Sequence, residues 1–286
     1  DGWCRSSRLA LGAGSRYAFR INGEIQVPDP ASRLQVGGVH GVSEVVDLRE
    51  LPGLASPPID GREWHEQVLY ELHVGTVTRD GTYRRLLPLL DHFDRTGITT
   101  VELMPIAAFP GRRNWGYDGV LPFAPAESYG SPQELATLIN RAHARDLQLF
   151  LDVVYNHFGP EGNYLHLYAA PFFTDRFKTP WGSAIDFSLP EVRRFFIENA
   201  LYWLLVYGFD GLRVDAVHAI RDSSQEHFVE EMTRAVGDSV ERMTPGRQVQ
   251  IVLENEENEA HRLSTATAQW NDDVHHLVHV LCTGES

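Results

Sequence analysis

The sequence predicts an α/β protein built as a TIM-type (β/α)8 barrel, incomplete at about six strands and preceded by the tail of a β module. Three observations lead there. From Val68 onward, strand-like and helix-like stretches alternate strictly over short connections, the pattern of a parallel sheet with helical crossovers. Successive strands end in polar residues: Tyr155, Asn156 and His157 on one, Arg213 and Asp215 on another, Glu254 on a third. That is the end of a barrel strand where catalytic groups collect. The first strand is followed by no glycine-rich phosphate loop, which disfavours a dinucleotide-binding open sheet.

Taken in order, residues 1–59 read as the end of a β module and a linker. Asn22-Gly23 between Tyr17–Ile21 and Glu24–Val27 is a hairpin signal. Pro28, Pro30, Pro52, Pro57 and Pro58 then mark a loop-rich passage ending near Gly61. Residues 60–286 form the barrel portion, with strands expected at 68–76, 99–106 and 147–156. A helical stretch fills about 86–96 and stops at Gly97. Ser131-Pro132-Gln133-Glu134 is a capping box with proline at the first helical position. It opens a helix whose Leu135, Leu138, Ile139 and Ala142 make one stripe. A loop insertion carries about 157–188, and a helix after Pro190 ends at Gly208. In GLRVDAV (211–217), alternation sends Arg213 and Asp215 to one face. Ser223 and Glu226 read as a second capping box, for a helix through about Val236. The last expected strands are 250–255 and a short one at 268–270, followed by a helix.

Composition narrows the function. A net charge of −14 over 286 residues argues against nucleic acid and against anionic membrane surfaces. The longest apolar runs fall short of the ~20 residues of a membrane span. Two cysteines, Cys4 and Cys282, show no metal spacing and suit a reduced, cytoplasmic compartment.

Two carboxylates at neighbouring strand tips with an arginine beside one suit glycoside hydrolysis. Asp215, charge-paired with Arg213, is the expected nucleophile, and Glu254 is the expected acid, which needs a raised pKa. Glu256 shares the alternation face, so register alone does not choose between the two glutamates; Glu254 is preferred because it directly follows the apolar run. Metal-assisted hydrolysis is the rival reading. His73, His157 and His218 lie near strand ends, but no ligand spacing supports a site, and neither metal nor cofactor is expected. Trp115, Tyr117, Phe158, Tyr164 and Trp181 could stack on sugar faces or simply pack loops.

LDVVYNH (151–157), GLRVDAVH (211–218) and VLEN (252–255), in this order and on these strands, resemble the signature regions of the alpha-amylase superfamily of glycoside hydrolases. NWGYDGV (114–120), TPWGSAIDF (179–187) and QWNDDVHH (269–276) are similar to its trehalose-releasing branch. VPDPASR (27–33) and GVHG (38–41) resemble that branch's linker from an N-terminal β-sandwich. The resemblance implies Asp215 as nucleophile and Glu254 as acid/base. It also implies that Tyr117, His157 and Arg213 contact the sugar or orient the nucleophile, and that His218 lies near the leaving sugar. The implied substrate is maltooligosyltrehalose or a related α-glucan, cut at the α-1,4 bond next to the trehalose unit. A branching or debranching relative acting on α-1,6 bonds, or a non-catalytic sugar-binding barrel, are the alternatives. The superfamily carries a third catalytic aspartate after a seventh strand, in an Asn-His-Asp-like stretch. This sequence reaches Ser286 without one, and the expected outcome is an open, curved parallel sheet.

Overall fold

A computed structural model describes residues 10–51 and 61–285. Cys4, Pro52, Pro57, Pro58 and the expected boundary near residue 59 lie outside the described residues.

Six parallel strands make the central sheet: β1 (Leu69–Leu72), β2 (Thr100–Leu103), β3 (Gln148–Val153), β4 (Gly211–Val214), β5 (Gln250–Glu254) and β6 (Ala268–Trp270). They stand side by side in chain order, with β1 and β6 at the two edges. This is the expected incomplete barrel. Helices follow the strands: α1 (Leu90–Arg95), α2 (Pro132–His143), α3 (Pro190–Leu201), α4 (Phe228–Met243) and α5 (Asp272–Thr283). The outward side chains of the strands, such as Val101, Leu103, Leu149, Leu151, Leu212 and Leu253, are buried with the apolar faces of α1 to α4 in one core, whereas α5 buries none of its residues. The four-residue stripe of α2 is part of it, each member 1% exposed or less. Its capping box is complete: Ser131 Oγ accepts from the Glu134 amide, and Glu134 Oε2 accepts from the Ser131 amide.

The inward side chains lie in tiers, because parallel strands in register bring every second residue to one level. At the floor, Gln67 Nε2 donates to Gln148 Oε1 at 2.5 Å and to Gln250 Oε1 at 3.1 Å. The Thr100 hydroxyl donates to Gln67 Oε1. Above it is an apolar layer of Phe150, Val252 and Ala268 with Leu69 and Trp270 against them. Gly211 belongs to this layer because a Cβ there would sit 2.7 Å from the Phe150 ring and 2.7 Å from the Gln250 carbonyl. Charged residues occupy the next tier, and the strand tips crown it.

Elsewhere the structure refines the sequence reading. Phe19–Ile21 and Ile25–Val27 pair around Asn22 (φ 50°) and Gly23 (φ 77°), the two positive φ values of a type I′ turn. Arg16–Tyr17, Val42–Glu44 and Gln35–Val36 form a small antiparallel sheet beside them. The loop-rich stretch 157–188 contains an antiparallel pair, Phe173–Thr179 with Gly182–Ile185. The first barrel strand is shorter than expected and gives way to a single helical turn, Val74–Val77. Ser223 and Glu226 do not cap a helix. Asp222 is held by Arg193 and accepts from the amides of Ser224 and Phe228, which keeps 222–227 in a turn. Helix α4 therefore starts at Phe228 with His227 as its cap, Nδ1 accepting from the Val229 amide, and runs to Met243. No helix among the described residues is long and apolar enough to cross a membrane.

Candidate active site

Arg213 is the hub of the strand tips. It points inward from β4 and is 2% exposed. Its Nη1 donates to both oxygens of Asp152 at 3.0 and 2.9 Å and to Asp215 Oδ1 at 2.7 Å. Its Nη2 lies 3.0 Å from Glu254 Oε2. One guanidinium thus faces three carboxylates from three adjacent strands, a task for which its planar fork is suited. The guanidinium carbon sits 4.7 Å from the centre of the Trp270 ring, so an aromatic face on β6 backs the charge.

Asp215 follows the last residue of β4 and is buried. Its amide donates to the Val153 carbonyl at 3.0 Å, which fixes its height against β3. Asn156 Nδ2 donates to Asp215 Oδ2 at 2.8 Å and to its carbonyl at 2.9 Å. Ala216 then takes a left-handed conformation (φ 41°, ψ 53°). That turn aims the Ala216 amide at Glu254 Oε2, 2.8 Å away. Glu254 ends β5, and burial pushes its carboxyl above the ordinary glutamate range, against the opposing pull of Arg213 and the Ala216 amide. Glu256, which shares its alternation face, points elsewhere: its side chain is 67% exposed and it meets His218, 3.5 Å from Nε2.

Tyr117 reaches the cluster from the loop after β2, its hydroxyl donating to Asp152 Oδ2 at 3.2 Å. His157 is buried, with Nε2 on the Tyr117 carbonyl at 3.0 Å, Nδ1 on Asn156 Oδ1 at 2.5 Å and its ring stacked on Trp181 at 3.9 Å. Burial lowers its pKa, against the opposing pull of the Tyr117 carbonyl and the Asp215 charge. Asp215, Glu254, Arg213, Tyr117 and His157 are therefore joined by one network. His218 stands at the rim, one step out, accepting the Glu256 amide at 3.2 Å. Of the aromatic candidates, Trp181 joins this network, whereas Phe158 packs among Phe172, Phe173 and Phe196.

The three histidines weighed as metal ligands are separated. His73 Nε2 bonds Asn114 Oδ1 at 3.0 Å, away from His157 and His218 in their own contacts. Among the described residues, the group with donor spacing for a cation is Glu71, Glu102 and Asp152, whose carboxylate oxygens lie within 4.8 Å of one another. Asp152 is already engaged by Arg213, and burial pushes the Glu102 carboxyl up to about 8, so at neutral pH Glu102 holds a proton.

Residues 64–171 match the alpha amylase catalytic domain family. The chain is 40% identical to the malto-oligosyltrehalose trehalohydrolase of Saccharolobus solfataricus over 95% of its length, covering 48% of that protein. It is 40% identical to the enzyme of the same name from Deinococcus radiodurans over 97% of its length, covering 45%. A Salmonella typhimurium protein assigned as an alpha amylase superposes with a TM-score of 0.88 at 40% identity, over 96% of this chain and 48% of that one. The chain belongs to the alpha-amylase family. It spans about half the length of the curated relatives it matches. A pullulanase from Paenibacillus barengoltzii, at 24% identity and TM-score 0.68, shares the alpha-amylase fold.

Three contributors to this network escape the sequence reading. Asp152 carried a signal, since a carboxylate inside the apolar LFLDVV run has to face another charge. Asn156 was visible only as a polar strand tip. The Ala216 amide carried no signal, because nothing about an alanine announces a left-handed turn.

Proposed function

We propose that the chain carries the nucleophile and acid/base of a retaining glycoside hydrolase that releases trehalose from maltooligosyltrehalose. Asp215 attacks the anomeric carbon of the sugar to be cleaved. Glu254 protonates the oxygen of the α-1,4 bond next to the trehalose unit and then, as a base, activates the water that frees the glycosyl-enzyme. The observation that carries the reading is the shared guanidinium. Arg213 and Asn156 fix the Asp215 carboxylate, while burial raises Glu254, the division of labour that two-carboxylate glycosidases need. Tyr117 and His157 line the sugar side, and Trp181, half exposed and stacked on His157, offers a face for the ring. His218 stands where the leaving sugar departs. The name shared by the two relatives at 40% identity supports the trehalose-releasing reaction over an α-1,6 cut. Product analysis tests it. Incubation with maltotriosyltrehalose should release trehalose, and an α-1,6-branched dextrin should yield no linear branch. Debranching without trehalose release would overturn the assignment.

A further inference from the structure

A polar knot sits beside the strand tips, outside the Arg213 network. His73, the residue after β1, donates from Nε2 to Asn114 Oδ1 at 3.0 Å. The Tyr129 hydroxyl donates to the same oxygen at 3.0 Å. One carboxamide oxygen thus ties together three separate segments: the tip of β1, the loop after β2 and the turn Glu127–Tyr129. Tyr129 is a firm base for the knot. It is 2% exposed, and its ring meets those of His73, Tyr83 and Phe109 at 6.0, 6.0 and 5.5 Å.

Asn114 is set apart from its neighbours. Gly111, Arg112, Arg113 and Trp115 are exposed, Trp115 at 88%, so the ring beside Asn114 gives the loop no hold. The asparagine side chain turns inward instead, and its Nδ2 is buried. Neither that Nδ2 nor His73 Nδ1, also buried, has a hydrogen-bond partner among the described residues. Leaving two polar atoms dry is unfavourable, so the knot is not arranged for stability alone. What the two hydrogen bonds on Oδ1 do provide is a fixed height and direction for the chain that leaves Asn114.

That chain leads straight into the site. It passes Gly116 (φ 118°) and reaches Tyr117 within three residues, at most about 11 Å of backbone. Tyr117 faces the network twice: its hydroxyl donates to Asp152 Oδ2 at 3.2 Å, and its carbonyl accepts from His157 Nε2 at 3.0 Å. Two residues further on, the Gly119 carbonyl accepts from the Gly159 amide at 3.0 Å. The loop is therefore fastened on both sides of Tyr117, by a side chain before it and by backbone after it.

We infer that Asn114 is a positioning residue for the site, a role that rests on the glycosidase reading above. By latching the loop to His73 and Tyr129, it fixes where Tyr117 presents its hydroxyl to Asp152 and its carbonyl to His157.

The test uses the full 286-residue chain with Asn114→Leu, which keeps the bulk and removes the oxygen, and Asn114→Asp, which keeps an oxygen for both donors. The proton on His157 Nε2, bound to the Tyr117 carbonyl, is read by nitrogen–proton NMR of the histidine rings. Its exchange with water should be about tenfold faster in Asn114→Leu, as expected when one local contact is lost, and unchanged in Asn114→Asp. With maltotriosyltrehalose, kcat of Asn114→Leu should fall roughly 10- to 100-fold with little change in KM, and the aspartate should restore it. An Asn114→Leu variant with the parent's ring-proton exchange, or an aspartate that fails as the leucine does, overturns the inference. Tyr129→Phe, which removes one of the two donors to Oδ1, serves if Asn114→Leu does not fold: its ring proton should exchange faster than the parent's, and an unchanged one overturns the inference equally. Should the parent chain release no trehalose, the proposed activity fails, yet the ring proton still reads the latch.

Discussion

Glu102 lies beneath the strand tips, fully buried, with both carboxylate oxygens unpartnered in the protein. Burial, with Glu71 adding to it and Arg213 opposing it, pushes its pKa from 4.5 up to about 8. The folded state therefore keeps a proton that the unfolded chain gives up near 4.5. The sign follows: this proton-linked stability is fully present below about 4.5 and is lost as pH rises through about 8. At about 1.4 kcal/mol per pH unit, the loss is about 3 kcal/mol by pH 7 and about 5 once ionisation is complete, an upper bound because water entry relaxes buried charges. Glu102→Gln keeps the shape and removes the titration. Urea unfolding followed by far-UV circular dichroism at pH 5, 7 and 9 reads it directly. The variant should match the parent near pH 5 and exceed it progressively toward pH 9. Titrations away from Glu102 and its neighbours Glu71 and Asp152 are common to both proteins and cancel in the difference. Parallel pH curves, or a variant weaker than the parent at pH 9, would refute the argument that Glu102 is buried with its proton.

Arg213→Met leaves three carboxylates of Asp152, Asp215 and Glu254 facing one another. It should cost about 3–5 kcal/mol at pH 7, less at pH 4 where protonation relieves the repulsion, as unfolding midpoints would show. Glu254→Gln should cut turnover of capped oligosaccharides by roughly 10²–10⁴ and spare aryl glycosides with good leaving groups. Equal losses on both would argue against an acid role. The alkaline limb of the parent's pH–rate profile should lie above the ordinary glutamate range, since burial raises Glu254 and activity falls as that proton leaves. Gly211→Ala should destabilise by about 1–3 kcal/mol by overpacking against Phe150, and an unchanged melting temperature would contradict the tier arrangement.

Much of this was legible because period and chemistry agreed. The alternation in GLRVDAV put Arg213 and Asp215 on one face, and the capping box at Ser131 marked the start of α2 to the residue. Legibility ended where the outcome depended on other strands. Glutamates at 71 and 102 lie mid-strand, and their meeting with Asp152 follows from the register of β1, β2 and β3, which no single stretch encodes. The Gln67, Gln148 and Gln250 floor is hidden for the same reason. Ser223 and Glu226 had the spacing of a cap and lost to Asp222, whose hold on Arg193 across the fold claims the amides first. Glu256 had the right parity, and the turn after β5 carried it out to solvent.

The left-handed Ala216 has a mechanical consequence. A non-glycine residue in that conformation costs about 1–2 kcal/mol, and here one peptide unit joins the residue after Asp215 to the carboxyl of Glu254. Any motion of the 215–220 segment moves Asp215 and the hydrogen bond on Glu254 together. The two carboxylates proposed to share the reaction are thus geared through a single rigid plane, and a loosened turn would disengage them as one part rather than detune either alone.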